Sequence, residues 1–385
     1  MTTQDEWQEP TSAARRTYRR IVAKFGTNLL TAGTDRLDLE VMAALVGQVA
    51  RLMRQGLQVA VVTSGAIAAG RHRLGVANRR RDIPFRQILA AVGQSHLMHS
   101  YDQLFRWHGL VVAQVLLTKG DIADREGYLN VRNTLMGMLE MGVVPIINEN
   151  DVVSLDEVAE AKIGENDNLA ALVANLIEAD LLVILTNTDG LYTADPTVDP
   201  TARLIPRVDR IDEAIERLAG GTRSPRSRGG MKTKLQAARL ACASGTDVVI
   251  ANGHTPQVLN RVVTGEPLGT LFPATVDRLE SRKRWMRSGL AARGCIVVDA
   301  GAVRALREQG TSLLPAGVLG ASGPFQRGDI VTITDAAGEQ IAYGIANYSD
   351  ADINRIKGHR SDRIVDILGY GYGAEVVHRN NLVLL

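Results

Sequence analysis

Cysteine is scarce in this 385-residue chain: only Cys242 and Cys295 occur. One falls in a helical pattern and one in a strand pattern, without the local pairing of a metal knuckle or a redox motif. Two reduced, buried thiols are therefore expected. Aromatic residues make up 4% of the chain, and no segment offers about 18 uninterrupted apolar residues, so no membrane-spanning helix is predicted. The opening 20 residues have no apolar core of the kind a signal peptide needs. A cytoplasmic protein with no membrane partner is the expectation. Neither sign of charge dominates: the formal net charge of +2 is too mild to imply nucleic acid or an anionic surface. Two nucleotide motifs are missing as well, the P-loop with its Gly-Lys-Ser/Thr ending and the Rossmann G-x-G-x-x-G.

What is present fits a globular chain of two domains by length, with 45% hydrophobic residues to build its cores. Residues 1–18 are polar and mixed in charge, and read as a mobile extension. Arg15, Arg16, Arg19 and Arg20 form a basic cluster, read as a solvated face in preference to a partner contact. From Arg20 strands and helices alternate. RIVAK, QVAVV, VVAQVLL, the apolar run before Asn148, LLVIL and DVVIA are strands, and helical periodicity covers 39–52, 84–107, 125–141, 169–176 and 233–243. That grammar predicts an α/β domain over 19–275, an open and mostly parallel sheet sandwiched by helices, with ligands at the carboxyl ends of the strands. Residues 276–290 read as a charged linker. Over 291–385 short apolar strands alternate with Gly-Asp, Ala-Gly and Asn-rich turns, which predicts a small, mainly-β domain.

The stretch Pro145 to Asn175, PIINENDVVSLDEVAEAKIGENDNLAALVAN, organises the first domain. It presents a strand end bearing Asn148, Glu149, Asn150 and Asp151, then a helix start bearing Glu165, Asn166 and Asp167. Carboxylates at a helix start can cap the helix, hold a divalent metal or grip an ammonium group, and the segment alone leaves these open. Other strand ends carry related cargo: Lys24-Phe25-Gly26-Thr27, Thr63-Ser64-Gly65-Ala66 and Thr186 to Gly190. Glycine beside Ser or Thr at such turns suits phosphate, because backbone N–H groups point outward with no side chain in the way. Lys24 at a strand end and Lys234 on a helix opened by Gly229-Gly230 suit phosphoryl transfer, where fixed ammonium groups neutralise charge spreading over the transferred oxygens. For Lys24 alone a surface lysine is the alternative, and for Arg223, Arg226, Arg228 and Lys232 a solvated loop is. His72, His96, His99 and His108 read as structural or surface residues.

AKFGTNLLT at 23–31, VVTSGAIAAG at 61–70, PIINENDVV at 145–153, IGENDNLAA at 163–171, LTNTDGLYTADP at 185–196 and RGGMKTKLQAA at 228–238 resemble the amino acid kinase family. The tail, with DAGAVRAL, LLPAGV, RGD, GIANYS and VVHRNNLVLL, resembles a PUA module. The resemblance implies an ATP-dependent phosphotransferase acting on the side-chain carboxylate of free L-glutamate, with Mg²⁺ carried on ATP, no metal ligand from the protein, feedback inhibition by proline and a homo-oligomer. Sibling kinases for acetylglutamate, carbamate or UMP are the rival reading. Position by position it implies catalytic roles for Lys24, Lys234 and Asp167, with Asp167 holding the two lysines. Substrate binding falls to Ser64, Gly65, Asp151, Asn166 and Glu165, and ATP binding to Lys24, Gly26, Thr186, Asn187, Arg228, Gly229, Gly230, Met231, Lys232, Thr233 and Lys234. The family commonly has Asp at positions 187 and 165, and Thr or Ser at 228. Proline is expected to compete through Asp151 and the excursion at 152–163. From Gly294 to Leu385 there are eight Arg plus Lys against ten Asp plus Glu, a balance that argues against an RNA partner. Every candidate contact precedes residue 235, so a chain ending near 275 is expected to keep its chemistry.

Overall fold

The computed structural model describes residues 17–76, 82–153, 165–219, 230–276 and 292–385. The chain divides into two compact units. The first takes the described residues up to Leu116, then Gly137–Cys242 and Thr246–Ala274; the second takes Leu117–Met136, Ala243–Gly245 and the described residues from Thr275 to Leu385.

A seven-stranded sheet is built from β1 (Arg20–Phe25), β2 (Gln58–Val62), β3 (Val112–Leu117), β4 (Val144–Glu149), β5 (Leu181–Thr186), β6 (Asp247–Asn252) and β7 (Thr270–Phe272), in the order β3-β4-β2-β1-β5-β6-β7. From β4 to β6 neighbouring strands run parallel, and β7 closes the far edge antiparallel to β6. The parallel pairing follows from the sequence pattern: a strand buried on both faces reads as a continuous apolar run, and β1, β2 and β5 do so. Chain order reverses direction at β1, which pairs with β2 on one side and β5 on the other. Such a switch point opens a crevice at the carboxyl ends of the strands. The registers Lys24↔Val62, Lys24↔Ile184 and Val62↔Ile147 bring the ends of β1, β2, β4 and β5 to one edge.

Helices cover this sheet with apolar faces. Leu39–Arg54 starts at Asp38, whose carboxylate accepts from the Glu40 and Val41 amides at 3.1 and 3.0 Å and caps the first turn. Its Met42, Leu45, Val46, Val49 and Leu52 join Phe25, Leu29, Val59 and Val61 in a continuous core. Each such side chain contributes about 1.5–3 kcal/mol by leaving water. The helices Ala66–Leu74 and Ile83–Arg106 meet at backbone contact: a Cβ at Gly70 would lie 1.8 Å from the Leu89 carbonyl oxygen, and one at Gly93 only 1.7 Å from that of Ala66. The segment from Leu191 to Pro206 makes a hairpin-like excursion closed by a Tyr192–Leu204 bridge.

In the second unit β8 (Gly294–Val298), β9 (Val318–Ser322), β10 (Ile330–Thr334), β11 (Gln340–Ile345) and β12 (Leu382–Leu384) form a sheet ordered β12-β11-β10-β8-β9. Its core gathers Ile296, Val298, Phe325, Val331, Ile333, Tyr348 and Ile353. The helix Arg125–Glu140 lends this unit its first part, up to Met136. Leu129 is fully buried with Ile345 and Val383, and the buried Arg132 donates through Nε to Asn381 Oδ1 at 2.7 Å. Residues 117–136 thus pack with the tail although their sequence lies within the α/β pattern. Local periodicity reports a helix, not the sheet it packs on. Of the two thiols Cys242 is buried, its pKa pushed up to about 12 by burial and the nearby Asp247 charge, whereas Cys295 is only half-buried, against expectation. Its strand β8 buries only Ile296 and Val298 fully.

Candidate active site

Lys24 is the fifth residue of β1 and Asp167 the third of the helix Glu165–Leu176, while Lys234 lies in the first turn of Met231–Cys242. The fold joins all three. Asp167 is fully buried; its Oδ1 lies 2.6 Å from Lys24 Nζ and its Oδ2 lies 3.2 Å from Lys234 Nζ. Thr233 Oγ1 stands 3.0 Å from the same Oδ2 and 2.9 Å from the Gly230 carbonyl oxygen. Burial by itself would raise the Asp167 pKa, but the two ammonium charges and their hydrogen bonds outweigh it and hold the carboxyl at about 2. Burial lowers the Lys234 pKa, a trend that Asp167 opposes and the Lys24 charge reinforces. Two ammonium groups share this one carboxylate, with side-chain exposures of 8% for Lys24 and 7% for Lys234.

A Cβ placed on Gly26 would lie 3.7 Å from Lys24 Nζ and 3.5 Å from the Leu185 carbonyl oxygen, ordinary contact distances, so the β1 turn passes directly beside the ammonium. A phosphate group, whose oxygens accept from ammonium and backbone N–H alike, fits this donor set.

A second cluster sits one residue earlier on the helix. Asn166 Nδ2 lies 2.9 Å from the Thr63 carbonyl oxygen, 2.8 Å from Ser64 Oγ and 3.0 Å from Asn148 Oδ1. Asn148 Nδ2 donates in turn to Gln94 Oε1 at 2.8 Å. Thr63 shares a 2.7 Å hydroxyl contact with the wholly buried Tyr101. Ser64 accepts from Asn166, so its own hydroxyl proton can serve another acceptor. Asn166 Oδ1 is buried and has no hydrogen-bond partner among the described residues. At Gly65 the φ of +101° turns the chain into Ala66–Leu74, a conformation that disfavours any side chain.

Among the predicted site residues the structure thus brings together Lys24, Asp167, Lys234 and Thr233, and separately Ser64 and Asn166. Asp151 lies half-buried in the turn after β4, and its carboxylate makes no hydrogen bond among the described residues, so Asn166 meets the strand end through Asn148 instead. Thr186 closes β5, its carbonyl accepting from Gly253 N at 2.8 Å; Asn187 is exposed, as is Lys232, and Met231 is half-buried. Arg223, Arg226, Arg228, Gly229, the 154–163 part of the excursion, the Glu165 side chain, residues 1–16 and the linker at 277–290 lie outside the described residues. Gln94 and Tyr101 were not legible as site neighbours, because their helix shows only an apolar stripe.

The amino acid kinase family model matches residues 19–252 and the PUA domain model residues 294–368. A glutamate 5-kinase from Dehalococcoides mccartyi is 55% identical over 96% of this chain and 99% of its own length. One from Herpetosiphon aurantiacus is 51% identical over 95% and 98%, and one from Deinococcus radiodurans 50% identical over 95% and 100%. With the two models and these near-full-length matches in agreement, the chain belongs to the amino acid kinase family, on its glutamate 5-kinase branch, with a PUA domain at its C-terminal end.

Proposed function

We propose that this protein transfers the γ-phosphoryl group of ATP to the side-chain carboxylate of L-glutamate, giving L-glutamyl 5-phosphate and ADP, the opening step of proline synthesis. The observation that carries this reading is the buried Lys24–Asp167–Lys234 trio, two ammonium groups held on one carboxylate. The names of the relatives supply the acceptor. At neutral pH the glutamate side chain is already ionised and needs no general base. The task left to the protein is to align two anions and neutralise their mutual repulsion. Lys24 and Lys234 take that part, aimed by Asp167. Ser64, Gly65, Asn166 and Asp151 hold glutamate, Asp151 matching its ammonium with a carboxylate, and the neighbouring Glu165 belongs to the same set. Gly26, Thr186, Asn187 and the segment 228–234 hold the nucleotide. Bound ATP supplies the phosphoryl group and brings Mg²⁺ on its phosphates. Proline carries the same α-carboxylate and an ammonium, so it competes for the glutamate groups. The protein works as a homo-oligomer in the cytoplasm.

ADP release measured with glutamate, acetylglutamate, carbamate and UMP tests this. Glutamate alone should support turnover, and preference for another acceptor would sink the reading. Asp151→Asn should raise the glutamate KM about tenfold, as expected for a lost charged hydrogen bond, with the ATP KM unchanged.

A further inference from the structure

The amides around Asn166 can be oriented in one way only. A backbone carbonyl accepts and never donates, so the Asn166 atom 2.9 Å from the Thr63 oxygen is the nitrogen. That nitrogen also faces Asn148 at 3.0 Å, which requires the Asn148 oxygen on that side and leaves Asn148 Nδ2 to donate across 2.8 Å to Gln94 Oε1. Each amide fixes the next, and the chain ends on two unpartnered atoms. Asn166 Oδ1 and Gln94 Nε2 are both buried with no hydrogen-bond partner among the described residues.

Gln94 is only 8% exposed, on a helix whose neighbouring buried positions are Leu89, Ala90, Gly93 and Leu97. Methionine would fill that space and remove the unpartnered Nε2, but it would strand the buried Asn148 Nδ2, which donates to Gln94 Oε1. The bond to Asn148 therefore accounts for a glutamine there, and packing does not. The close crossing at Gly93 holds that bond in place, since it seats this helix against Ala66, the first residue after Ser64 and Gly65.

We infer that Gln94 is a positioning residue: acting through Asn148, it steadies Asn166 so that Asn166 Oδ1 meets the α-ammonium of the substrate as a bare acceptor. Among the groups of glutamate at neutral pH outside its carboxylates, only the ammonium can donate to that oxygen. The inference rests on glutamate being the acceptor.

The test compares wild type, Gln94→Met, Asn148→Ala and the double variant by ADP release and thermal unfolding. Wild-type turnover with glutamate comes first, because its absence would defeat the proposed function and not the positioning argument. Given that turnover, Gln94→Met should raise the glutamate KM about three- to tenfold, the loss of one hydrogen bond, with kcat and the ATP KM within about twofold and the melting temperature somewhat lower because Asn148 Nδ2 loses its acceptor. In the Asn148→Ala background the same change should add nothing, as expected of residues that act as one unit. Inhibition by glutarate, which lacks the ammonium, should not respond to Gln94→Met. A lower melting temperature with an unchanged glutamate KM would make Gln94 a packing residue and overturn the inference. Additive effects in the double variant would overturn it too, by showing that Gln94 acts without Asn148, and equal loss of glutarate binding would remove the ammonium from the account.

Discussion

Asp167 in the first unit and Asp329 in the second each face two cations, yet those cations stand differently toward water. Around Asp167 the lysine side chains are 8% and 7% exposed. Asp329 is as deeply placed, but its partners Arg125 and Arg293, the latter at 3.7 Å, are 35% and 54% exposed. Water screens the guanidinium groups and completes the second cluster. The lysines of the first are withdrawn from water together with their carboxylate. The two clusters differ, then, in whether the cations are buried with the acid.

The largest effect expected from breaking this contrast is that of Asp167→Asn, which takes from two buried ammonium groups the carboxylate they share. Turnover should fall by about 1000-fold or more, beyond the usual loss of a single stabilising donor, and the Lys234 pKa should drop further. Because the folded-state pKa of Asp167, about 2, lies below its ordinary 3.8, the trio's contribution to stability is complete above about pH 4 and lost as the pH falls through about 2. That contribution is on the order of 2 kcal/mol. Denaturation curves of wild type and Asp167→Asn should therefore converge below about pH 4, and a constant gap would contradict the assignment.

Lys24→Ala and Lys234→Ala come next, each lowering kcat about 100- to 1000-fold while far-UV circular dichroism stays native. Near-normal turnover in either would remove that lysine from the chemistry. In the second unit Arg132→Met should cost about 2–3 kcal/mol in urea denaturation by stranding Asn381 Oδ1, with the glutamate KM within about twofold. The same packing predicts that a chain ending near 275 loses stability, since Leu129 and Arg132 lose their buried partners. Smallest is Asp329→Asn: its ion pairs reach water and its bond from the Gln326 amide at 2.9 Å survives in an asparagine, so the cost should stay below about 1 kcal/mol.

Much of the α/β unit was legible because its signals are local. The runs that became β1, β2 and β5 are apolar over one strand length, and the Gly turns after β1 and β2 lie within a few residues of Lys24 and Ser64. The strand β9 and the short antiparallel β7 carried weaker patterns, too brief for alternation to show. Gln94 carried none, since a single glutamine in an apolar helix looks the same whether it faces a site or solvent.

Sequence alone therefore determined the order of elements, the Gly turns at the strand ends, the residue types of the proposed phosphate site and the family motifs that contain them. All of these depend on neighbours a few positions apart. Tertiary structure alone decided the geometry in which Lys24 and Lys234 share the Asp167 carboxylate, a grouping the family resemblance had implied, across 67 residues of chain from Asp167 to Lys234, and it alone decided that Gln94 reaches Asn148 across 54 and that residues 117–136 pack with the tail. The physical reason is range. Hydrogen bonds and ion pairs act over about 3–4 Å in space, and local propensity does not encode which distant residues the sheet will bring within that reach.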